Sequence, residues 1–314
     1  LLTLGDEVLN AVRYAHRQLG HAPNVTVLDL NYMQFDWFIE AAKSNAPAWG
    51  FDGFNFPGTN YGSAPGAFVM NQLLDANYGK FSFFVCGGMH ANDRSWEGAY
   101  RLWPLGMTMQ VLKRTANIKL DKWASKSTKM LPILDWAHTP TPGSWSEVLA
   151  NNHYLAAYHQ RPYYVLQYAY EAMNTYEALE KQIASVGANG GANLDAARAQ
   201  ATQLRQEARE RFLLAGTLYE QEDALALNGS RTLPDYFYRN WGVAYSQLRS
   251  LERSEEGVAA AKQRAAHAFL KYLAFESLEP TDRKTVEHGV LSLIPPPAGM
   301  TRQAAQQQQQ QQQQ

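Results

Sequence analysis

The amino-acid sequence divides into two halves of different texture, and this contrast constrains the fold more than any other feature. Seven of the eight tryptophans, 13 of the 22 glycines and eight of the 14 prolines precede residue 146. The first half therefore predicts turn-rich mixed structure around a few strands, whereas helical periodicity dominates the second. We expect an α/β domain at residues 1–145, followed by an all-α domain at residues 146–294.

The first half begins with alternating helix-like and strand-like segments. Residues 6–19 place apolar side chains on one face and are followed by Gly20, which predicts a helix and its end. Residues 25–30 are rich in β-branched side chains and predict a short buried strand, and residues 34–46 predict a second helix. This succession is typical of an α/β layer.

A loop and a second strand follow. Residues 49–66 carry Gly, Pro or Asn at nearly every second position, which predicts a loop held in place by its aromatic side chains. Residues 69–76 predict a short helix, and residues 81–86 predict a second buried strand. Gly87 and Gly88 then predict a tight turn, because no G-x-G-x-x-G or lysine-bearing phosphate loop accompanies them.

The second half shows apolar stripes at helical spacing. Residues 162–186 and 194–226 predict two long amphipathic helices joined by the glycine-rich residues 187–193. Shorter helices are expected near residues 233–252, 258–277 and 282–293. Paired helices of this kind are expected to stack on one another.

Part of this helical half fits a tetratricopeptide repeat. The matching residues are Trp241, Gly242, Tyr245, Ala268, Tyr272, Phe275 and Pro280. A small residue such as Gly242 lets two helices approach closely, and aromatic side chains fill the groove between them. The span from Gly242 to Pro280 exceeds what a repeat of about 34 residues allows, so the two helices or their loop must be longer. We expect a tetratricopeptide-like helical-repeat domain.

Charge, cysteine content and hydropathy exclude several classes of protein. Lys and Arg total 28 against 29 Asp and Glu, so the chain has no excess of positive charge to bind the phosphates of nucleic acid. We therefore expect no nucleic-acid partner. The single Cys86 excludes an internal disulfide framework and a Cys-rich zinc site. Residues 81–89, the most apolar stretch, are too few to cross a bilayer. The prolines and the polyglutamine run of residues 295–314 predict a disordered tail.

Two His–Asp pairs are the candidates for metal chemistry. His90 and Asp93 could present ligands on one face, and Asp135 and His138 have similar spacing. A sugar- or nucleotide-processing enzyme would need both pairs in one site. Because a tryptophan lies close to each pair, polar capping over aromatic packing is the alternative, and we expect neither a metal nor a cofactor.

The first predicted helix carries a candidate contact face. Asp6, Asn10 and Arg13 fall on successive turns and could contact an anion, a sugar or a partner protein. The alternative is that Asp6 only starts the helix, where a negative charge is favourable. The residues expected to bind a protein partner are Asp6, Asn10, Arg13, Trp96, Trp103, Tyr238, Trp241 and Tyr245.

An ordered series of short motifs resembles a known family. The motifs are Gly5-Asp6, Asn10, Arg13-Tyr14, Pro23-Asn24-Val25, Leu28-Asp29-Leu30, Asp36-Trp37-Phe38, Phe84-Val85-Cys86, Trp96, Tyr100, Leu102-Trp103-Pro104 and Gly106. In order and spacing, residues 4–294 resemble the region that follows the membrane helices in the transmembrane protein 260 family of protein O-mannosyltransferases. Bacterial relatives of that family are classed as domain of unknown function 2723. His21 to Asn24 replace the family's charged Arg-Pro-Asp entry to the strand.

The resemblance implies a luminal region of an enzyme that transfers lipid-linked mannose to secreted protein domains. The reacting carboxylates of that family belong to its membrane-embedded part, so the resemblance assigns no catalytic residue here. It implies a non-catalytic, soluble, protein-binding module in the endoplasmic reticulum or another secretory lumen, attached through a membrane region upstream.

Glycosylation would distinguish this hypothesis from its alternative. Asn24-Val25-Thr26 and Asn228-Gly229-Ser230 are glycan acceptors if the chain is luminal. The alternative is a stand-alone scaffold subunit of a large assembly, which uses its helical groove and aromatic loops as contact surfaces. A cytosolic location would favour that alternative.

Overall fold

A computed structural model describes residues 1–131, 143–144, 155–186, 191–228 and 233–293. The chain divides into two compact units, one ending at Ala157 and the other beginning at Tyr158. A mixed sheet with helices is followed by a largely helical region, which confirms the predicted fold class. The predicted domain boundary at residues 145 and 146 and the predicted tail at residues 295–314 lie outside the described residues.

The first unit contains short strands and helices in alternation. Its strands are β1 (Leu2–Thr3), β2 (Leu28–Asp29), β3 (Phe84–Cys86), β4 (Tyr100–Leu105) and β5 (Thr108–Lys113), and its helices are α1 (Asp6–Arg17), α2 (Asp36–Ser44), α3 (Met70–Asn77) and α4 (Leu120–Met130), with 3₁₀ turns at Tyr32–Gln34 and Ser95–Gly98. The predicted helices correspond to α1, α2 and α3. The two predicted strands correspond to β2 and β3 and are shorter than expected.

The five strands form one mixed sheet in the order β2-β1-β3-β5-β4. β1 pairs in parallel with both neighbours, so that Leu2 lies opposite Leu28 on one side and Val85 on the other. β5 pairs antiparallel with β3 and with β4. The first residues of the chain therefore occupy an interior position in the sheet.

The sequence pattern does not predict β1 or the β4–β5 hairpin. A two-residue strand such as β1 is too short to show alternation of apolar and polar side chains. β4 contains Pro104, which argues against a central strand. The structure places β4 at the edge of the sheet, where a proline is tolerated.

The turn after β3 requires glycine at residue 87. The backbone N–H of Leu4 donates to the Cys86 carbonyl at 3.1 Å, which brings the two chains together. Gly87 has a φ of +86°, and a Cβ atom there would collide with the Leu4 carbonyl oxygen. A left-handed conformation without a side chain is therefore needed, which confirms the predicted tight turn.

The core of the first unit joins the sheet, α2, α3 and the loop between those helices. In that loop the rings of Phe54 and Phe56 have centroids 4.9 Å apart, and those of Phe51 and Phe56 are 5.6 Å apart. The aromatic side chains thus hold the loop in place, as the sequence predicted.

Asp29 is a buried carboxylate at the end of β2. Its Oδ2 accepts a hydrogen bond from the Thr3 hydroxyl at 3.0 Å, and its Oδ1 accepts from the N–H groups of Asn31 and Tyr32 at 2.9 and 3.2 Å. These bonds join β2 to β1 and start the 3₁₀ turn at Tyr32–Gln34.

Long helices make up the described part of the second half. They are α5 (Ala156–Val186), α6 (Gly191–Asn228), α7 (Asp235–Leu251), α8 (Glu255–Leu273) and α9 (Pro280–Leu293). All five correspond to predicted helices, although α5 extends back through Pro162 and begins before it. Successive helices pack on one another from α6 to α9.

Glycines permit close helix packing in this half. A Cβ atom on Gly242 of α7 would lie 2.5 Å from the ring of Phe269 on α8, which confirms the close approach predicted there. A Cβ atom on Gly216 of α6 would lie 2.6 Å from the ring of Tyr245 on α7. The tetratricopeptide repeat itself stays a prediction.

We expect Gly216→Ala to destabilise the protein by about 1–3 kcal/mol, because the Tyr245 ring is fully buried and has no room to move. Gly289→Ala in α9 is the matched control, since no atom lies within 4 Å of the added methyl group. Alanine favours a helix more than glycine does, so the control should be stabilised by up to about 1 kcal/mol. Urea unfolding followed by circular dichroism measures both. Equal effects of the two substitutions would contradict the close contact.

Candidate functional site

A cleft of about 850 Å³ opens in the first unit. Its walls come from the last turns of α1, the start of α2 and the turn at residues 47–51 that follows α2. It falls within the size range of small-ligand sites, which is about 300–1,000 Å³.

Aromatic side chains line one side of the cleft. The centroid of the Phe38 ring lies 5.9 Å from that of Tyr32, 5.9 Å from that of Trp37 and 6.3 Å from that of Trp49. Phe38 is buried and anchors the group, whereas Trp37 and Trp49 are 59% and 40% exposed. The indole rings of Trp37 and Trp49 are therefore exposed to solvent and packed against the buried Phe38 ring.

Basic side chains from α1 also line the cleft. Arg13, His16 and Arg17 project from α1, and the Arg13 guanidinium lies 5.0 Å from the centroid of the Tyr32 ring. A cation over an aromatic face is stabilised electrostatically, so Tyr32 holds Arg13 in position. Among the described residues that line the cleft, none is Asp or Glu.

A short hydrogen bond closes the rim of the cleft. The Thr26 hydroxyl donates to the Gly50 carbonyl at 2.5 Å. Gly50 has a φ of +77°, and a Cβ atom there would lie 2.9 Å from Thr26 Oγ1. Glycine is thus required for the turn to approach the preceding loop.

The predicted contact face on α1 borders this cleft. Asp6 and Asn10 are exposed, and Arg13 lies in the cleft wall. The sequence did not identify the exposed Trp37 and Trp49 as site residues. Trp37 belongs to the motif Asp36-Trp37-Phe38 and Trp49 to the aromatic loop, and neither pattern indicates that its tryptophan is exposed.

The structure places the candidate metal ligand Asp93 as a cap. Its Oδ2 accepts from the Met70 N–H at 2.7 Å at the start of α3, and its Oδ1 accepts from the Ser95 N–H at 2.9 Å. Burial acts to raise the pKa of Asp93, but the hydrogen bonds from Ser95 and Met70 outweigh it and lower that pKa. The capping alternative thus accounts for Asp93.

His90 has partners other than Asp93. Its Nε2 lies 2.8 Å from the amide nitrogen of Gln34, and its ring packs against Tyr61. Within the described residues, no three His, Cys, Asp or Glu side chains are grouped closely enough to hold a metal ion. Asp135 and His138 lie outside those residues.

Trp96 and Trp103 occupy interior or half-buried positions. The Trp96 indole N–H donates to the Asp93 carbonyl at 3.1 Å. Trp103 is 3% exposed, and its ring meets that of Trp123 at 5.2 Å. Both therefore contribute to packing in the first unit, and their contact with a partner stays a prediction.

Tyr238, Trp241 and Tyr245 are also buried, at 9%, 3% and 0% exposure. The Lys271 ammonium lies 5.5 Å from the Tyr238 ring centroid and 5.6 Å from that of Trp241, and it pairs with Asp223 at 2.6 Å. These side chains join α6, α7 and α8, so their first role is to hold the helices together. Their predicted role in partner binding is untested by this arrangement.

A buried charged cluster lies between α5 and α6. The Glu222 carboxylate is 3.9 Å from both the Arg161 guanidinium and His159 Nδ1, and neither of its oxygens accepts a hydrogen bond from the described residues. Burial raises the pKa of Glu222 and lowers that of His159 to about 4. Burial also lowers the pKa of Arg161, so the cost of desolvation exceeds the attraction between the two charges.

Of the two predicted glycan acceptors, Asn24 is exposed, in the loop between α1 and β2. The second acceptor sequence begins at Asn228, the last residue of α6, and continues outside the described residues.

Two curated proteins share distant homology with this chain. It is 26% identical over 179 residues to "Protein O-mannosyl-transferase TMEM260" of Mus musculus, a match that covers 55% of this chain and 24% of the mouse protein. It is 26% identical over 122 residues to the Dictyostelium discoideum "Protein O-mannosyl-transferase tmem260", which covers 38% and 14%. The matches thus span a quarter or less of these relatives, and they confirm a distant relation to the family that the ordered motifs indicated.

No family model and no solved structure matches the chain. Among the helices of the described ranges, none is both long enough and apolar enough to cross a bilayer.

We expect Asp93→Ala to lower the free energy of unfolding by about 1–2 kcal/mol, because α3 loses its cap. Added zinc or a chelator should not change the melting temperature of Asp93→Ala or of the unsubstituted protein.

Since the pKa of Asp93 is lowered on folding, the contribution of Asp93 to stability is present above about pH 4 and is lost below it. Glu40→Ala, at an exposed position of α2, is the control and should be nearly neutral. Zinc-dependent stabilisation that disappears in Asp93→Ala would instead identify a metal ligand.

We expect Glu222→Gln to become more stable relative to the unsubstituted protein as the pH rises. The pKa of Glu222 is raised on folding, so its favourable contribution is present below about pH 4 and is lost as the pH increases. Urea unfolding at pH 4.5 and pH 7.5 gives the difference, with the exposed Glu177→Gln in α5 as control. If the difference in unfolding free energy between Glu222→Gln and the unsubstituted protein did not change with pH, folding would not raise the pKa of Glu222.

Proposed function

We propose that this chain is a non-catalytic, protein-binding module that acts as the luminal region beside a membrane-embedded protein O-mannosyltransferase. The observation that carries the proposal is the 26% identity to two such transferases, confined to a quarter or less of their length.

The use of polar side chains in the first unit supports a binding role. Asp93 caps a helix, Glu97 pairs with Arg94 at 2.7 Å, and Asp29 links two strands. Each of these carboxylates is thus occupied by a structural contact. General acid–base catalysis needs a carboxylate or imidazole that can contact the substrate. The three carboxylates named here instead bind groups of the protein itself.

The surface around α1 supports contact with protein. Asp6 and Asn10 are exposed beside Arg13, and the exposed indole rings of Trp37 and Trp49 line the same cleft as Arg13. Tryptophan and arginine are enriched among the residues that carry the energy of protein interfaces. Exposed apolar groups of this size, rimmed by polar residues, are typical of an interaction site.

A luminal position accounts for the exposed glycan acceptor. Asn24 lies in an exposed loop, where an attached glycan would not disturb the core. Its neighbours Pro23 and Val25 line the cleft, so a glycan on Asn24 would lie at the edge of the cleft.

We expect the full-length native protein to carry an N-glycan on Asn24, Asn228 or both. Digestion of isolated membranes with an endoglycosidase should reduce the mass, and combined Asn24→Gln and Asn228→Gln substitutions should make that reduction smaller by the mass of the glycans that these two sites carry. Asn45→Gln, at an exposed residue outside any acceptor sequence, is the control and should retain the glycan.

Protease digestion of sealed membranes supplies the second measurement. A luminal chain is degraded only after detergent is added. A glycan-free chain that is degraded without detergent would overturn the luminal assignment and favour the scaffold alternative.

A further inference from the structure

We infer that the cleft between Arg13, Trp37 and Trp49 binds an acidic, extended segment of a partner protein that carries an aromatic side chain. The inference rests on the proposed protein-binding role and adds the chemistry of the partner. It combines three observations: the charge of the lining, the exposure of the indoles and the size of the space.

The charge of the lining is one-sided. Arg13, His16 and Arg17 contribute basic groups, and no Asp or Glu is among the described residues of the cleft wall. His16 and Arg17 also lie in the last turn of α1, where basic side chains balance the helix dipole. Arg13 lies a turn earlier and is held over Tyr32, so the dipole does not account for it. A guanidinium fixed in this way is suited to pair with a carboxylate.

The two most exposed indoles among the described residues lie here. Trp37 and Trp49 both line the cleft, and Phe35 stacks on Trp37 with ring centroids 6.2 Å apart. Val25, 37% exposed, adds a further apolar contact. An aromatic or aliphatic side chain packed on the exposed parts of these indoles would remove apolar surface from water, which is the main source of binding energy in such contacts.

The size of the cleft and the spacing of its cations suit a peptide segment. About 850 Å³ accommodates a few side chains and no folded domain. Arg13 and Arg17 lie one turn apart on α1, so each can pair with a separate carboxylate of an extended peptide. The C-terminal end of the α1 dipole opposes any anion, so the attraction comes from the guanidinium groups themselves.

The test uses the purified chain and fluorescein-labelled pentapeptides. The acidic probe is Glu-Asp-Trp-Glu-Asp, with Lys-Lys-Trp-Lys-Lys and Glu-Asp-Ala-Glu-Asp as matched probes. Fluorescence anisotropy should show micromolar binding of the first probe, at least tenfold weaker binding of the third and none of the second. Raising the salt concentration should weaken binding, because the contacts are ionic.

Substitutions then locate the site. Arg13→Ala and Trp49→Ala should each weaken binding of the acidic probe at least tenfold. Arg17→Glu, at an exposed residue, provides a variant that keeps the fold and should weaken it as well. The controls are Lys126→Ala in α4 and Tyr236→Ala in α7, which are exposed, do not line the cleft and should bind as the unsubstituted protein does.

Several outcomes would overturn the inference. They are an absence of binding up to millimolar acidic peptide, equal binding of the acidic and basic probes, and binding that survives all three cleft substitutions. Displacement of the peptide by adenosine monophosphate at constant ionic strength would identify a nucleotide site instead. If the peptide fails while the glycan and protease results stand, the peptide inference falls and the proposed luminal function remains.

Discussion

The Asp29 carboxylate connects the sheet to the cleft, and the candidate site depends on that connection. It accepts a hydrogen bond from Thr3 in β1 and two from the backbone at Asn31 and Tyr32. Hydrogen bonds to a charged group contribute about 1.5–3 kcal/mol each. Tyr32 in turn contacts the Phe38 ring and carries the Arg13 guanidinium over its face. The position of a basic group in the cleft is therefore set by a buried bond between two strands.

The sequence predicts those elements whose side-chain pattern is long enough to have a period. α1 and the long helices α5 and α6 repeat their apolar residues over several turns, and the structure has them where that pattern lies. β1 has two residues and no period, and its place in the sheet depends on pairing with Val85 far along the chain. Such long-range pairing leaves no local signal in the sequence.

The candidate site is only partly predictable, because residue type does not determine exposure. The helical spacing of Asp6, Asn10 and Arg13 predicts their common face, whereas the cleft that Arg13 lines forms only in the folded chain. Trp49 and Trp241 look alike as sequence, yet one is 40% exposed and the other 3%. The difference arises from what packs on each ring: a turn at the surface for Trp49, and neighbouring helices for Trp241. Only tertiary packing separates an anchor of the core from a contact for a partner.

The interior position of β1 has a consequence for the order of events during synthesis. β1 leaves the ribosome well before its partner β3, which emerges only after α1, α2 and α3 have been made. Only the pairing of β1 with β2 can form during that time. The helices from α6 onward pair with the next helix in sequence, and such local contacts form fast. Of the two units, the first therefore waits longer to complete its fold.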